Sequence, residues 1–291
     1  VELGSVLQEI GSSVSTERTV QNLLAAIPGW QNRSSTVTPL QHGYNNRSYR
    51  VDTANRSYVL RVVDQIDESG MRDNAVECRI QQSAARRGIA APVEFFSPDS
   101  GLLLSEFAKG RSWQPEDLEV PDNLIRLAGL LKVLHSLPLS GVEYDAGIAA
   151  RNYRSLLRPN AAESSLAALC VQIAESTAKT GRRACCHNDL VAENIVDDGT
   201  LKLIDFEYAR DNDPYFDLAS VINWHNLNAE QAELLLRAYG GVDVDNNRRR
   251  LDTQRRTFDA VQWLWLSLQQ QRKPNEWQAQ QLSRVASRLS G

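Results

Sequence analysis

The sequence predicts an α+β chain in two lobes: a small N-terminal antiparallel-sheet lobe over residues 1–107, then a larger, mainly helical C-terminal lobe over 108–291. Three observations predict it. β-Branched and aromatic runs separated by turn residues fill the stretch from Thr36 to Phe107, leucines at helical spacing begin at Leu124, and the composition changes across "AKGRSWQPED" between them. With 291 residues the chain is long enough for two lobes and a cleft.

Each element follows in order. "VSTERTVQNLLAAIPGW" has an N-cap at Ser15, apolar spacing through Val20, Leu23 and Leu24, and a stop at Pro28-Gly29, which predicts one helix. "TVTPL", "SYRVDT" and "SYVLRVV" predict an antiparallel meander. "NAVECRIQQSAARRG" places Val76, Ile80 and Ala84 four apart and closes at Gly88, as a helix packed on a sheet would. "PVEFFSPDSGLLLSEF" returns to β, turning at Pro98 to Gly101. Leu124, Leu127, Leu130, Leu131 and Leu134 then mark a helix. The one β interruption expected in the second half is "CCHNDLVAENIVDDGTLKLIDFEYA", residues 185–209, where "NIV" and "LKLID" flank the turn "DDGT". Helices over 229–239 and 248–272 and a terminal helix complete the chain, with no internal repeat.

Composition narrows the function classes. A net charge of -4, from 36 acids against 32 bases, gives no electrostatic footprint for nucleic acid and suits a cationic small substrate. No apolar run approaches the roughly 18 residues a membrane span needs, so no membrane insertion is expected. Cys78, Cys170, Cys185 and Cys186 form neither a disulfide framework nor a zinc spacing, and "VELGSVLQEI" lacks a secretory layout. The expected location is therefore cytoplasmic, with no obligate protein partner evident.

The chemistry gathers at the second hairpin. His187-Asn188-Asp189 precedes it, Asn194 stands just before its first strand, and Asp205 ends its second, followed by Phe206-Glu207. A tight hairpin sets its two ends side by side, so Asn194 and Asp205 converge while Asp189 sits one loop away. Amide and carboxylate oxygens are the hard ligands that magnesium prefers, with phosphate oxygens and water completing its shell. His187-Asn188-Asp189 alone could equally be a cap or a turn; the hairpin with Asp205 in register makes the set catalytic.

Asp189-Leu190-x-x-x-Asn194 with an Asp-Phe pair beyond the hairpin is the catalytic-loop and metal-Asp order of protein kinases. The His-Asn-Asp version, the strand "LKLIDFEYA" and the later "DPYFDLAS" resemble the choline/ethanolamine kinase branch of the aminoglycoside phosphotransferase superfamily, over about residues 36 to 270. Protein kinases would carry Arg at 188 and Gly at 207, which this chain does not. The resemblance implies a protein-kinase-like fold, with ATP and magnesium (Mg2+) as cofactors. Asp189 would orient or deprotonate the acceptor hydroxyl, with His187 and Asn188 beside it in the catalytic triplet. Asn194 and Asp205 would hold the metal, Glu207 would assist through water, and Asp217 would brace the catalytic loop as a buried acid.

The same resemblance extends to the nucleotide and acceptor. Gly43, Asn46 and Ser48 in "QHGYNNRSYRV" look like the Gly-x-x-Asn phosphate lid of small-molecule kinases, although a plain hairpin turn reads the same way. Arg61 stands where many kinases carry lysine, and Glu77 on the next helix would pair with it; a surface arginine and a solvated glutamate are the alternative. Backbone groups near Glu106 and Ala108 would meet adenine. Trp224 and Trp263 resemble positions that choline kinases direct at a quaternary ammonium, and Asp211 and Asp213 would add negative potential at the rim. Trp263 and Trp265, two apart, cannot share one helix face, so at most one faces substrate. The expected reaction moves the γ-phosphate of ATP to a small cationic alcohol, choline or ethanolamine. Thiamine is second, an aminoglycoside third, and a catalytically silent nucleotide-binding pseudokinase is the non-enzyme alternative. "STAK" and "KTG" both claim Lys179 and form no penicillin-binding pair, and no Gly-Lys-Ser/Thr phosphate loop is present.

Overall fold

A computed structural model describes residues 16–31, 33–40, 46–63, 67–97, 101–158, 160–177, 183–240 and 244–290. Ser15, Gly43, the turn at 98–100 and Lys179 lie outside the described residues, as does the Asn46 side chain.

Helix α1 (Thr16–Ala26) leads into strands β1 (Ser35–Pro39), β2 (Asn46–Thr53) and β3 (Ser57–Val63). After helix α2 (Asn74–Arg86), β4 (Val93–Ser97) and β5 (Leu102–Glu106) complete an antiparallel sheet in the order β1-β2-β3-β5-β4. Alternation decides what each strand contributes. Tyr58, Leu60, Val62, Leu102 and Leu104 face a core with Leu23, Leu24 and Trp30. Val59, Arg61, Leu103 and Ser105 therefore take the opposite face, which lines a cavity. The register Ser48↔Arg61↔Leu103 sets Ser48 beside Arg61 on that face.

The chain crosses to the second lobe at β6 (Arg111–Ser112), which pairs with β8 (Ile195–Asp197). Gly110 is required at the crossing: its φ is +122°, and a Cβ there would come within 2.5 Å of the Asp197 carbonyl. Helices α3 (Pro121–Leu134), α4 (Ala146–Leu156) and α5 (Ala161–Ser176) follow. Then come β7 (Ala184–Cys186), the hairpin of β8 with β9 (Leu201–Leu203), β10 (Arg210–Asn212), and helices α6 (Tyr215–Trp224), α7 (Ala229–Gly240), α8 (Val244–Arg272) and α9 (Glu276–Ser290). One core joins α3, α6 and α7 and takes in Val76, Ile80 and Ala84 of α2; the other joins α4, α5, α8 and α9.

The second half holds more β structure than the sequence suggests. Besides the hairpin, β6 extends its sheet and β7 pairs antiparallel with β10. Strands of two or three residues are too short to show alternation, so no sequence period marks them. The sheet lobe is also sewn to the hairpin directly, by the Leu203 N–H donating to the Ile89 carbonyl at 2.8 Å.

Candidate active site

The hairpin assembles the site. Pairing of Ile195 with Leu203, continued by the Ile204 N–H donating to the Asn194 carbonyl at 3.0 Å, sets Asn194 beside the step into Asp205. Asp205 has φ +62° and Asn188 φ +64°, the left-handed conformation that Asn and Asp tolerate better than most residues. Both turns re-aim the chain so that Asn188, Asp189, Asn194, Asp205 and Glu207 line one cavity of about 800 Å³.

Asp217 holds the catalytic loop in this shape. It is fully buried and accepts the N–H of His187 at 2.9 Å, the N–H of Asn188 at 2.7 Å and Nε2–H of His135 at 2.9 Å. Burial works to raise its pKa, but the His135 bond and charge and the His187 N–H hold it below the ordinary carboxylate value. Its contribution is thus present above the ordinary carboxylate pKa and is lost as pH falls through the lower folded value. Asp217→Asn is expected to remove on the order of 3 kcal/mol of unfolding free energy at neutral pH. The deficit should shrink in acid; a wild-type denaturation midpoint near neutrality would contradict this.

His187 has a different place from the one expected. It is fully buried, Nε2–H donates to the Ile204 carbonyl at 2.9 Å, its ring lies 5.2 Å from Phe206, and it does not line the cavity. It buttresses the hairpin. The Asn188 amide is likewise occupied: Nδ2 donates to the carbonyls of Tyr208 and Arg210 at 3.0 and 3.3 Å, and Oδ1 accepts from Asn212 at 2.8 Å. Of the triplet, Asn188 and Asp189 line the cavity, and only the Asn188 side chain is already engaged by these bonds. The half-buried position of Asp189, then the carboxylates of Asp205, Glu207, Asp217 and Glu193, push its pKa up to about 8. Nδ2 of Asn194 donates to the Asp189 carbonyl at 3.0 Å, which leaves the amide oxygen as the donor offered to the cavity.

On the sheet side, Arg61 forms a buried ion pair with Glu77 and reaches Asp205 at 3.3 Å, joining α2 to the hairpin. Ser48 lines the cavity near it. Glu106 and Ala108 also line it, the Glu106 carboxylate being turned to Arg56 at 2.6 Å. The N–H groups of Glu106 and Phe107 bond the carbonyls of Pro92 and Ser57, both at 2.9 Å. Ala108 N–H has no backbone partner among the described residues.

Trp263, Asp211 and Asp213 lie elsewhere than the sequence suggests. Trp263 is 5% exposed and packs with Ala149, Ala150 and Cys170, whereas Trp265, on the nearly opposite face of α8, lines the cavity. A helix turns about 200° between such positions, so one ring had to enter the core. Asp211 is not at a rim: β10 buries it, and its oxygens accept the N–H groups of Ser140 and Gly141, both at 2.8 Å. Asp213 caps α6 through the Tyr215 N–H and pairs with Arg250 at 3.0 Å. Trp224 does line the cavity, 6.3 Å from Trp265 and 5.3 Å from Trp277 of α9. Tyr144, Tyr153 and Tyr208 line the same cavity. The sequence offered no period or spacing that singles out these tyrosines, and Trp277 differed from other helical tryptophans only by its half-exposed place on the last helix.

A cavity flanked by the Arg61–Glu77 pair between β3 and α2 on one side and an Asp-Asn-Asp hairpin on the other has the layout of a phosphoryl-transfer site. Residues 36–279 match the phosphotransferase enzyme family, APH. The chain belongs to that family. It is a phosphotransferase with the two-lobed kinase-like fold. Protein LicA of Haemophilus influenzae is 25% identical over 256 residues, covering 80% of this chain and 73% of LicA. A choline/ethanolamine kinase family protein from Mesorhizobium loti matches with a TM-score of 0.74 at 22% identity, covering 94% of this chain and 93% of that one. Choline kinase LicA from Streptococcus pneumoniae matches at 0.77 and 20% identity, covering 94% and 98%. Among the described residues, no helix of the phosphotransferase is long and apolar enough to cross a membrane.

Proposed function

We propose that this phosphotransferase moves the γ-phosphoryl group of ATP, with magnesium, to the hydroxyl of a small cationic alcohol, choline first and ethanolamine next. Residues 1–107 serve as the nucleotide-binding lobe and 108–291 as the catalytic and acceptor lobe. The observation that carries the reading is a single cavity lined both by the carboxylates of Asp189, Glu193, Asp205 and Glu207 and by the rings of Trp224, Trp265 and Trp277. Of the lining residues between 216 and 277, none is acidic. Aromatic faces attract a quaternary ammonium without needing a carboxylate, whereas the several ammonium groups of an aminoglycoside call for acids.

The donor set fits a divalent cation. The carboxylates of Asp189, Glu193, Asp205 and Glu207 line one cavity, and burial together with the charges of its acidic neighbours pushes the Asp189 pKa up to about 8. Asn194 and Asp205 would hold the ion. When bound, magnesium neutralises charge on the transferring phosphate oxygens. Arg61 would bind phosphate through its fork, and backbone groups of Glu106 and Ala108, both of which line the cavity, would meet an adenine edge. Asp189 orients the acceptor hydroxyl and takes its proton.

ADP release measured separately with choline, ethanolamine, thiamine and kanamycin should give one strong responder, choline. Asp205→Ala should weaken binding of magnesium-ADP by roughly tenfold or more while leaving metal-free ADP nearly unaffected. Silence across the alcohols, with a magnesium- and ATP-dependent thermal shift intact, would replace the enzyme reading by the pseudokinase.

A further inference from the structure

Residues 67–73, between β3 and α2, leave the sheet lobe and lie on the helical lobe. Asp67 shapes the loop from inside, accepting the N–H and Oγ–H of Ser69 at 3.0 and 2.6 Å and the N–H of Arg72 at 2.6 Å. Three contacts dock it. Met71, 4% exposed, enters the core of α4, α5, α8 and α9, Asn152 donates to the Ser69 carbonyl at 2.8 Å, and Glu68 pairs with Arg272. Gly70 is required, with φ +69° and only 2.7 Å between a Cβ and the Asn152 amide nitrogen. Arg72 is thereby delivered to Glu207, 3.2 Å away, with side chains 6% and 5% exposed.

This pair bears on the acidic cluster. Glu207 is two residues from Asp205 and lines the same cavity, so an unrestrained Glu207 would be one more carboxylate for a divalent cation. We propose that Arg72 is a positioning residue: the docked strap holds its guanidinium on Glu207, so that the cation falls to Asn194 and Asp205. The proposal rests on the magnesium-dependent transfer argued above. It also changes the part given to Glu207, from metal assistance to a carboxylate kept engaged by the strap.

The sign of the effect separates this role from a merely structural one. Removing a guanidinium positive charge a few ångströms from the cation, and releasing a carboxylate toward it, tightens metal binding. A loosened fold weakens it. Mn2+ serves as the probe, with binding to the protein in the presence of ADP read by electron paramagnetic resonance, independently of turnover. Arg72→Met is expected to bind Mn2+ on the order of tenfold more tightly while kcat falls and KM for the acceptor stays put. Arg72→Lys should restore both, and Arg72→Met/Glu207→Gln should return Mn2+ affinity to the wild-type value. Unchanged or weaker Mn2+ binding in Arg72→Met, or a double variant that stays tight, overturns the proposal. Should Arg72→Met not fold, Glu207→Gln alone decides: wild-type Mn2+ affinity supports it, and a tenfold loss overturns it. Failure of the transfer reading would show instead as absent ADP release from the wild-type chain.

Discussion

Asp189→Asn is expected to slow phosphoryl transfer by orders of magnitude and at the same time to raise the thermal stability of the ligand-free protein, most strongly above neutral pH. The loss of activity follows from removing the group that takes the acceptor proton, an effect of about 10²–10⁴-fold. The gain in stability follows from the carboxylate cluster. In the unfolded chain Asp189 titrates near 3.8, in the folded chain at about 8. Between these values folding takes up a proton, so the stability associated with this group falls as pH rises from the lower value to the higher. Asparagine keeps an oxygen and loses the charge, so its advantage is small near the lower value and full above the higher one. A rise of about 2–5 °C in Tm at mildly alkaline pH is expected, narrowing in acid. Saturating magnesium-ADP should erase much of the difference. A variant that is less stable than wild type at alkaline pH would mean that Asp189 is compensated within the fold.

Arg61→Ala is expected to cost about 3–5 kcal/mol of unfolding free energy, because Glu77 would be left charged and unpaired at 2% exposure. Arg61 also reaches Asp205, so the same change disconnects α2 from the hairpin and removes the phosphate-binding fork. Arg61→Ala/Glu77→Leu should recover much of the stability and none of the nucleotide affinity. Arg61→Lys keeps the charge but cannot bridge Glu77 and Asp205 with one planar fork, so it should stay folded and bind ADP less tightly. Urea denaturation beside an ADP titration separates the two roles. If Arg61→Ala unfolds with the wild-type midpoint, the buried pair is not the structural link described.

The tryptophans show where reading the chain reaches its limit. That Trp263 and Trp265 must diverge is a property of the helix; that Trp265 meets Trp224, which also meets Trp277, while Trp263 packs with α4 and α5 depends on which helices flank α8. Asp211 has the composition of a rim acid, and only its pairing within β10 turns it inward. His187 stands beside Asp189 in sequence, yet alternating directions in a tight loop send it behind the hairpin. Arg72 carries no motif at all, because its partner lies 135 positions away at Glu207.

What the amino-acid order determined by itself was local: the strand meander, the α2 helix, and the hairpin whose register puts Asn194 beside Asp205. Alternation, helical period and turn chemistry act over a few residues, and Asn194 and Asp205, the pair proposed to hold the metal, lie within such a span. The tertiary structure alone decided the partners of Asp217, Arg72, Asp211 and the tryptophans. Those depend on burial and on contacts between elements distant in the chain, where the cost of leaving a charge or a large ring unpaired selects one neighbour among many.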